Sequence, residues 1–404
     1  MSLPPGITGL RLMLLAVALS LGAAISLGIT RFAYALLLPP MRADLQWSYT
    51  LAGAMNTANA VGYLLGALLT PALMRRFGPS VLLLWGAAFA SLFMGLSGFF
   101  TSAVPLLLQR GLAGIASAFV FISGGLLAAR LGALHPARSG LLIGLYYGGT
   151  GIGIVLSALL IPAALEAAAA QPHAWAWVWW ALALACLAGT VALAWPAMAL
   201  QRMQAPAPDS VSGTTSAGRS FHWRDFAPAL AGYGLFGVGY IGYMTFVIAL
   251  LREQGVESTL LSWFYALLGL AVMASSGIWA GLLDRWHGGQ PLAILSALLG
   301  IATLVPALTS SWPAVLVSGL LFGAVFLSVV ASTTALVRHN LAPSQWAAGI
   351  SAFTVVFAGG QIVGPTVVGW IADGAGGLAR GLLFSAAALW LGALVALRQR
   401  PLPP

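Results

Sequence analysis

The sequence predicts an all-α, polytopic membrane protein with twelve transmembrane helices arranged as two six-helix bundles. The chain has 404 residues, of which 60% are hydrophobic and only 6% are charged, whereas a soluble domain carries about 25% charged residues. Apolar runs recur along its whole length, and each is long enough to cross a bilayer of about 30 Å. The alternating pattern of a membrane β-barrel is missing, so helices are the remaining way to cross.

Arginine, proline and glycine interrupt the apolar runs and mark the ends of the predicted helices. Each run between two such breaks has the length and the low charge of a single membrane span. The breaks predict spans at 11–39, 49–74, 80–100, 103–130, 139–164, 174–199, 226–251, 259–283, 291–311, 314–337, 346–371 and 380–398.

The placement of the arginines predicts the orientation. If both termini are cytoplasmic, twelve arginines lie in cytoplasmic segments and only Arg42, Arg252 and Arg380 lie outside. Basic residues are concentrated in the cytoplasmic loops of membrane proteins. We therefore expect a multi-pass protein of a bacterial inner membrane, embedded in lipid. A nucleic-acid partner is excluded, because the basic residues are scattered between apolar runs and form no basic patch.

A polar stretch near the middle divides the chain into two halves. Residues 201–225 are rich in alanine, proline, serine, glycine and threonine, which is the composition of a flexible tether. We predict an amino-terminal six-helix bundle over residues 1–200, a cytoplasmic linker over 201–225, and a carboxy-terminal six-helix bundle over 226–404.

The two halves repeat each other at an offset of about 210 residues. LMRRFG at 73–78 corresponds to LLDRWH at 282–287, and Gly114 corresponds to Gly323. Parallel repeats of six helices build a large class of secondary transporters, in which the substrate lies between the halves near the middle of the membrane.

These residues resemble the major facilitator superfamily, whose signature between the second and third spans has the form G-x-L-x-D-R-x-G-R. LMRRFG keeps the leucine, one arginine and the glycine, but Arg75 stands at the acidic position. Arg110, four residues before Gly114, is similar to the family's arginine motif of the fourth span, and a structural or a gating role is open for it. The resemblance implies that such residues control conformation. The candidate gating residues are Arg75, Arg76, Arg110, Asp284 and Arg285.

The stretch SLGITRFAYALLLPP at 26–40 resembles the first span of the YbfB/YjiJ-type subfamily. The likeness continues through NTANAVGYLLG at 56–66. That subfamily has no common assigned substrate, so the resemblance implies a mechanism of secondary transport without naming what is carried.

Arg31 is a permanent charge inside the first span, eight residues before Pro39 and therefore about 12 Å along a helix. A charge this deep costs several kcal/mol unless something compensates it. All eight acidic residues lie in loops or at span ends. Arg31 is therefore expected to meet backbone carbonyls, water or an anionic substrate. Reaching back to the membrane surface is the structural alternative.

Polar and aromatic side chains on neighbouring helical faces complete the predicted site. Arg31 and Tyr34 are three residues apart and share a face of a regular helix. Hydrogen bonding between helices is the alternative role for each polar residue. The candidate substrate-binding residues are Arg31, Tyr34, Asn56, Asn59, Tyr146, Tyr233, Tyr240, Tyr243 and Gln361.

The sequence thus predicts a monomeric secondary transporter of a small, carboxylate-like organic anion that works by alternating access. An exporter of hydrophobic or amphipathic compounds, with Arg31 as a structural residue, is the first alternative. A non-transporting membrane sensor is a remote one, because the largest soluble segment has only about 25 residues. Neither an enzyme nor a cofactor is expected, since no buried nucleophile–base pair, metal cluster or phosphate loop is present.

Overall fold

The computed structural model describes residues 9–134, 138–202, 221–342 and 345–402. Throughout these residues the ordered elements are helices. Twelve helical spans within them are long and apolar enough to cross a membrane, which confirms the predicted number. Residues 203–220, which form most of the predicted linker, lie outside the described residues.

The first six spans contain seven α-helices, because the first span is interrupted. A short 3₁₀ turn at Trp223–Phe226 precedes the last six spans. The α-helices are α1 (Gly9–Ala23), α2 (Tyr34–Leu45), α3 (Tyr49–Phe77), α4 (Pro79–Ser97), α5 (Ala103–Ala133), α6 (Ser139–Ala167), α7 (Ala174–Arg202), α8 (Ala227–Glu253), α9 (Ser258–Arg285), α10 (Gln290–Leu308), α11 (Trp312–Asn340), α12 (Trp346–Ala372) and α13 (Gly377–Ala396).

The interruption of the first span is a π-helix over Ala24–Phe32, between α1 and α2. The amide of Ala33 donates to the carbonyl of Gly28 at 3.1 Å, and the hydroxyl of Thr30 donates to the carbonyl of Ile25 at 2.6 Å. Both bonds reach back five residues instead of four. The residues after this segment are therefore out of phase with the 3.6-residue repeat on which the sequence argument relied.

Glycines let the helices approach backbone to backbone. A Cβ added to Gly62 of α3 would lie 1.9 Å from the carbonyl oxygen of Gly111 in α5. A Cβ added to Gly28 would lie 2.6 Å from the Cα of Gly153 in α6. Small residues at such contacts are the usual basis of close helix packing in membranes. The first contact holds α3 against α5, and the second holds the π-helix against α6.

Among the described residues, most contacts between the first six spans and the last six are made by three helix pairs. α3 packs on α12, α6 packs on α9, and α2 packs on α8. The polar side chains of the predicted site lie on several of these helices, so their positions depend on how the two groups of spans meet.

Candidate functional site

Arg31 is buried in the π-helix, with 2% of its surface exposed. Its Nε and Nη2 atoms are buried and have no hydrogen-bond partner among the described residues. The guanidinium faces the ring of Tyr63 in α3, with Cζ 5.8 Å from the ring centroid. No described carboxylate forms an ion pair with Arg31. The positive charge is therefore buried and carries unused hydrogen-bond donors.

Tyrosine hydroxyls from three other helices share the surroundings of Arg31. The charge of Arg31 acts on the hydroxyls of Tyr63 in α3 and Tyr240 in α8. Tyr63 in turn lies within electrostatic range of Tyr146 and Tyr147 of α6 and of Tyr233 of α8, but the hydroxyl of Tyr146 is already bound to carbonyls of α5. We call Arg31, Tyr63, Tyr147, Tyr233 and Tyr240 the Arg31 site. The site is built from both groups of spans and offers a guanidinium with neutral hydroxyl donors, which is the chemistry that binds a small anion.

Arg110 is equally buried, but its guanidinium is largely satisfied. Nη1 donates to the carbonyl of Thr30 at 2.5 Å and Nη2 donates to Oδ1 of Asn56 at 3.1 Å, which leaves Nε without a partner among the described residues. The cation also faces the rings of Tyr34 and Trp179, at 5.3 and 5.7 Å from their centroids. Arg110 therefore binds the π-helix to α3, which is a structural arrangement.

Asn56 continues this network into the other group of spans. Its Nδ2 donates to Oγ1 of Thr245 in α8 at 2.8 Å, and Thr245 donates to the carbonyl of Ile241 at 2.7 Å. The bonds from Arg110 through Asn56 to Thr245, here called the Arg110 relay, connect α5, α3 and α8. The side chain of Asn56 therefore forms hydrogen bonds between helices, which is the alternative role expected for the polar residues.

Tyr34 contacts α3 and Arg110, and no hydrogen bond joins it to Arg31 among the described residues, although the two were expected to share a face. The hydroxyl of Tyr34 donates to the carbonyl of Ala52 at 2.9 Å, and its ring faces Arg110. The cause is the π-helix, because a helix whose bonds span five residues does not bring positions three apart together in the usual way.

Four further predicted residues make neither a hydrogen bond nor a cation–π contact with Arg31 in the described part of the chain. Nδ2 of Asn59 donates to a carbonyl of α5 at 3.2 Å, and the Tyr146 hydroxyl donates to a carbonyl of α5 at 2.8 Å. Tyr243 shares a 2.9 Å hydrogen bond with Ser318. Gln361 is buried, with 3% of its surface exposed, and makes no hydrogen bond with a described residue.

Two members of the Arg31 site were not among the sequence candidates. Tyr63 lies seven residues after Asn56, two turns along the same helical face, and the spacing in the sequence already indicates this shared face. Tyr147 was passed over for its neighbour Tyr146. Tyr147 is the more exposed of the two, with 37% of its surface exposed. Residue spacing alone does not distinguish an exposed side of a helix from a side that packs on other helices.

The predicted gating loops are not held by polar contacts within the described part of the chain. Four of their residues are exposed, and none makes a hydrogen bond or an ion pair with a described residue. This end carries the arginine-rich loops and is the predicted cytoplasmic end. The four residues are Arg75, Arg76, Asp284 and Arg285.

The opposite, predicted outer end is joined by a carboxylate that caps a helix of the other half. Oδ1 of Asp373, just after α12, accepts from the amide of Tyr49 at 2.6 Å. Oδ2 accepts from the amide and hydroxyl of Thr50 at 2.9 and 2.6 Å. Tyr49 also donates its hydroxyl to Glu253 at the end of α8. We call these four residues the Asp373 clasp; a carboxylate is favoured at a helix amino terminus such as that of α3.

The environment of Asp373 favours its charged form. Burial alone would raise the pKa of the carboxyl, but the hydrogen bonds from Thr50 and from the amide of Tyr49 outweigh it and hold the pKa below its ordinary value. The clasp is therefore closed by an ionised carboxylate.

Comparisons with known proteins agree with this architecture. A family model described as "Uncharacterised MFS-type transporter YbfB" matches residues 23–397. No curated protein matches the chain. The solved structure of a bacterial homologue of the human lysosomal transporter Spinster, inward-facing and unoccupied, is 15% identical, with a TM-score of 0.70 over 98% of this chain and 100% of that one. The nucleoside transporter NupG is 13% identical, with a TM-score of 0.70 over 96% and 98%. At such identities the likeness shows the fold.

Proposed function

Because the chain belongs to the YbfB-type family of major facilitator transporters, we propose that it carries a small organic anion by alternating access. Its family and the matched structures are transporters and not enzymes, as the sequence analysis predicted. The anionic character of the substrate is the new element of the proposal.

One observation carries the proposal: Arg31 is a buried cation whose Nε and Nη2 atoms have no hydrogen-bond partner in the described part of the chain. Leaving such donors unpaired away from water is costly. A carboxylate would accept from both atoms of the guanidinium edge at once, in the geometry that arginine favours. The substrate thus supplies the charge that the protein itself lacks.

The composition of the Arg31 site supports a link between binding and movement. Arg31, Tyr63 and Tyr147 come from the first six spans, and Tyr233 and Tyr240 come from α8. A ligand that contacts both the first six and the last six spans stabilises conformations in which these two groups of spans are close, relative to conformations in which they are apart. No Asp, Glu or His is buried in the part of the chain that the structure describes, so the charge of the substrate, or anion exchange, serves as the coupling element.

The contrast between the two ends supports a conformation open to the cytoplasm. The Asp373 clasp joins α12 and α8 to α3 at the predicted outer end, whereas Arg75 and Asp284 at the other end are exposed. In the proposal, a monomer in the bacterial inner membrane, with both termini cytoplasmic, rocks its bundles 1–200 and 226–404 about the substrate, with 201–225 as their tether. Release of the clasp opens the outer end.

Ligand-dependent melting of the purified protein tests the proposal. We expect one member of a panel of mono- and dicarboxylates, sulfonates and phosphate esters to raise the melting temperature of the wild type. Arg31→Gln should lose that response. Arg138→Gln removes an exposed arginine and is the matched control, which should respond like the wild type. If Arg31→Gln responds as strongly as the control, the proposed role of Arg31 is wrong.

A stack of aromatic rings favours a second candidate function, the export of hydrophobic or amphipathic compounds. Tyr233 and Phe357 stack at 4.9 Å, Phe236 and Tyr240 at 4.8 Å, and Tyr240 and Phe326 at 6.0 Å, with ring planes within 19° of parallel. Large apolar faces of this kind bind lipophilic compounds. Stabilisation by lipophilic cations alone, equal in the wild type and Arg31→Gln, would favour this function.

A further inference from the structure

A crevice outside the Arg31 site opens between the two groups of spans at the predicted outer end. Its volume is about 570 Å³, and its walls come from α2, α6, α8 and α9. The walls are mainly apolar, including Leu36, Ile248 and Leu261. The volume lies within the range of pockets that bind small molecules or parts of larger ones.

Two charges of opposite sign stand at the end of this crevice that faces the membrane surface. Glu166 lies at the end of α6 and Arg252 lies at the end of α8, and both line the crevice. Both side chains are exposed, and they do not form an ion pair with each other. The rim therefore suits an occupant that carries a cation and an anion of its own.

The crevice runs from this charged rim into the depth of the outer leaflet. Along α6 the lining extends from Glu166 to Ala158, and along α9 from Ser258 to Ala266. Eight residues of helix correspond to about 12 Å, which is most of the roughly 15 Å of hydrocarbon in one leaflet. Its walls are continuous with surface that faces lipid, because Leu159 and Trp263 are 61% and 60% exposed.

We propose that the crevice binds a zwitterionic, primary-amine phospholipid of the outer leaflet, of the phosphatidylethanolamine class. Its phosphate meets the guanidinium of Arg252 and its ammonium group donates to the carboxylate of Glu166. One acyl chain lies along the apolar wall towards Ala158 and Ala266. A lipid in this position touches both α6 and α9, so it also contacts the surface where the two groups of spans meet.

Native mass spectrometry of the full-length protein in mixed micelles tests this inference. The micelles contain equal amounts of phosphatidylethanolamine, phosphatidylcholine and phosphatidylglycerol with the same acyl chains. We expect retention of phosphatidylethanolamine to exceed that of each other lipid by about threefold, the size expected for exposed charge pairs. Glu166→Gln should abolish the preference, whereas Arg252→Gln should reduce retention of all three lipids, because the phosphate that it binds is common to them. Arg380→Gln, an exposed arginine at the same end, is the matched control and should keep it.

Two further arms test the position and the occupant. Ser262→Phe fills the apolar part of the crevice and should reduce retention of all three lipids. Glycerophosphoethanolamine carries the headgroup without acyl chains and should not compete. Equal retention of the three lipids, loss of the preference in Arg380→Gln, unchanged retention in Ser262→Phe, or competition by glycerophosphoethanolamine would each overturn the assignment.

Discussion

Arg110 donates to Asn56 at 3.1 Å, and through this contact a cation of the fourth span is bound to a helix of the other half. The amide of Asn56 accepts with one end and donates with the other, so it links Arg110 to Thr245. Arg31, one residue after the Thr30 carbonyl that Arg110 holds, has no such arrangement. Two buried arginines that look alike in sequence therefore have opposite hydrogen-bonding states.

This difference predicts opposite effects of removing the two charges in the absence of substrate. Arg31→Gln should keep or raise the free energy of unfolding, by up to about 2 kcal/mol, because an unpaired buried cation is removed. Arg110→Gln should lower it by about 1–3 kcal/mol, because Thr30 and Asn56 lose their partner. Denaturant unfolding in detergent measures both. A loss of stability in Arg31→Gln equal to that in Arg110→Gln would contradict the interpretation of Arg31 as free for substrate.

The Arg110 relay predicts that Asn56 matters more for stability than Thr245 does. Asn56→Ala leaves a nitrogen of Arg110 buried and unpaired, so we expect a loss of about 1–3 kcal/mol in the free energy of unfolding. Thr245→Val keeps the shape and removes the bond between the halves together with the bond to Ile241. Both are bonds between neutral groups, so we expect a smaller loss, of about 1 kcal/mol. Melting curves of the two variants show which substitution lowers stability more. A larger loss of stability in Thr245→Val than in Asn56→Ala would contradict the relay.

Adjacent tyrosines of α6 offer a matched pair for the Arg31 site. Tyr147→Phe should lower the affinity for the anion by about threefold or more, since a hydroxyl of the site is lost. The anion should then raise the melting temperature of this variant less than that of the wild type. Tyr146→Phe should lower stability without changing affinity, because its hydroxyl bonds only carbonyls of α5. Titration of melting temperature with the anion separates affinity from stability. An equal loss of affinity in both variants would place the site elsewhere.

The Asp373 clasp predicts a pH dependence at acidic pH. The folded-state pKa of Asp373 lies below its ordinary value, so its contribution is present above the unfolded pKa of about 3.9 and is lost as the pH falls through the folded pKa. Because the carboxylate is partly exposed, we expect the contribution to be below about 1 kcal/mol. The water accessibility of a spin label attached beforehand to a cysteine at the outer end should increase below about pH 4 in the wild type.

Asp373→Asn should show the same increase in spin-label accessibility already at pH 7, because a neutral amide cannot replace the ionised acceptor. Glu257→Gln, an exposed acid at the same end, is the control and should resemble the wild type. Spin-label accessibility in Asp373→Asn at the wild-type level throughout would show that the clasp does not hold the outer end closed.

The spans were predictable because a bilayer imposes length and hydropathy on every segment that crosses it. The depth of Arg31 and the lack of an acidic partner were also predictable, since both follow from residue order alone. The contacts of Tyr34 with Ala52 and Arg110 were not predictable, because periodicity assumes a regular helix and Ala24–Phe32 is not one. The contact of Asp373 with Tyr49 bridges 324 positions in the sequence. No local pattern encodes such a pairing, and only the packing of α3 on α12 creates it.

The π-helix at Ala24–Phe32 also determines how relatives should be aligned with this chain. Each of its hydrogen bonds encloses one residue more than in an α-helix. A relative with a regular first span therefore needs a gap inside this segment, and not in the loop that follows it. If the gap is put in the loop, Arg31 is paired with a residue on another face, and a shared binding residue is recorded as a substitution.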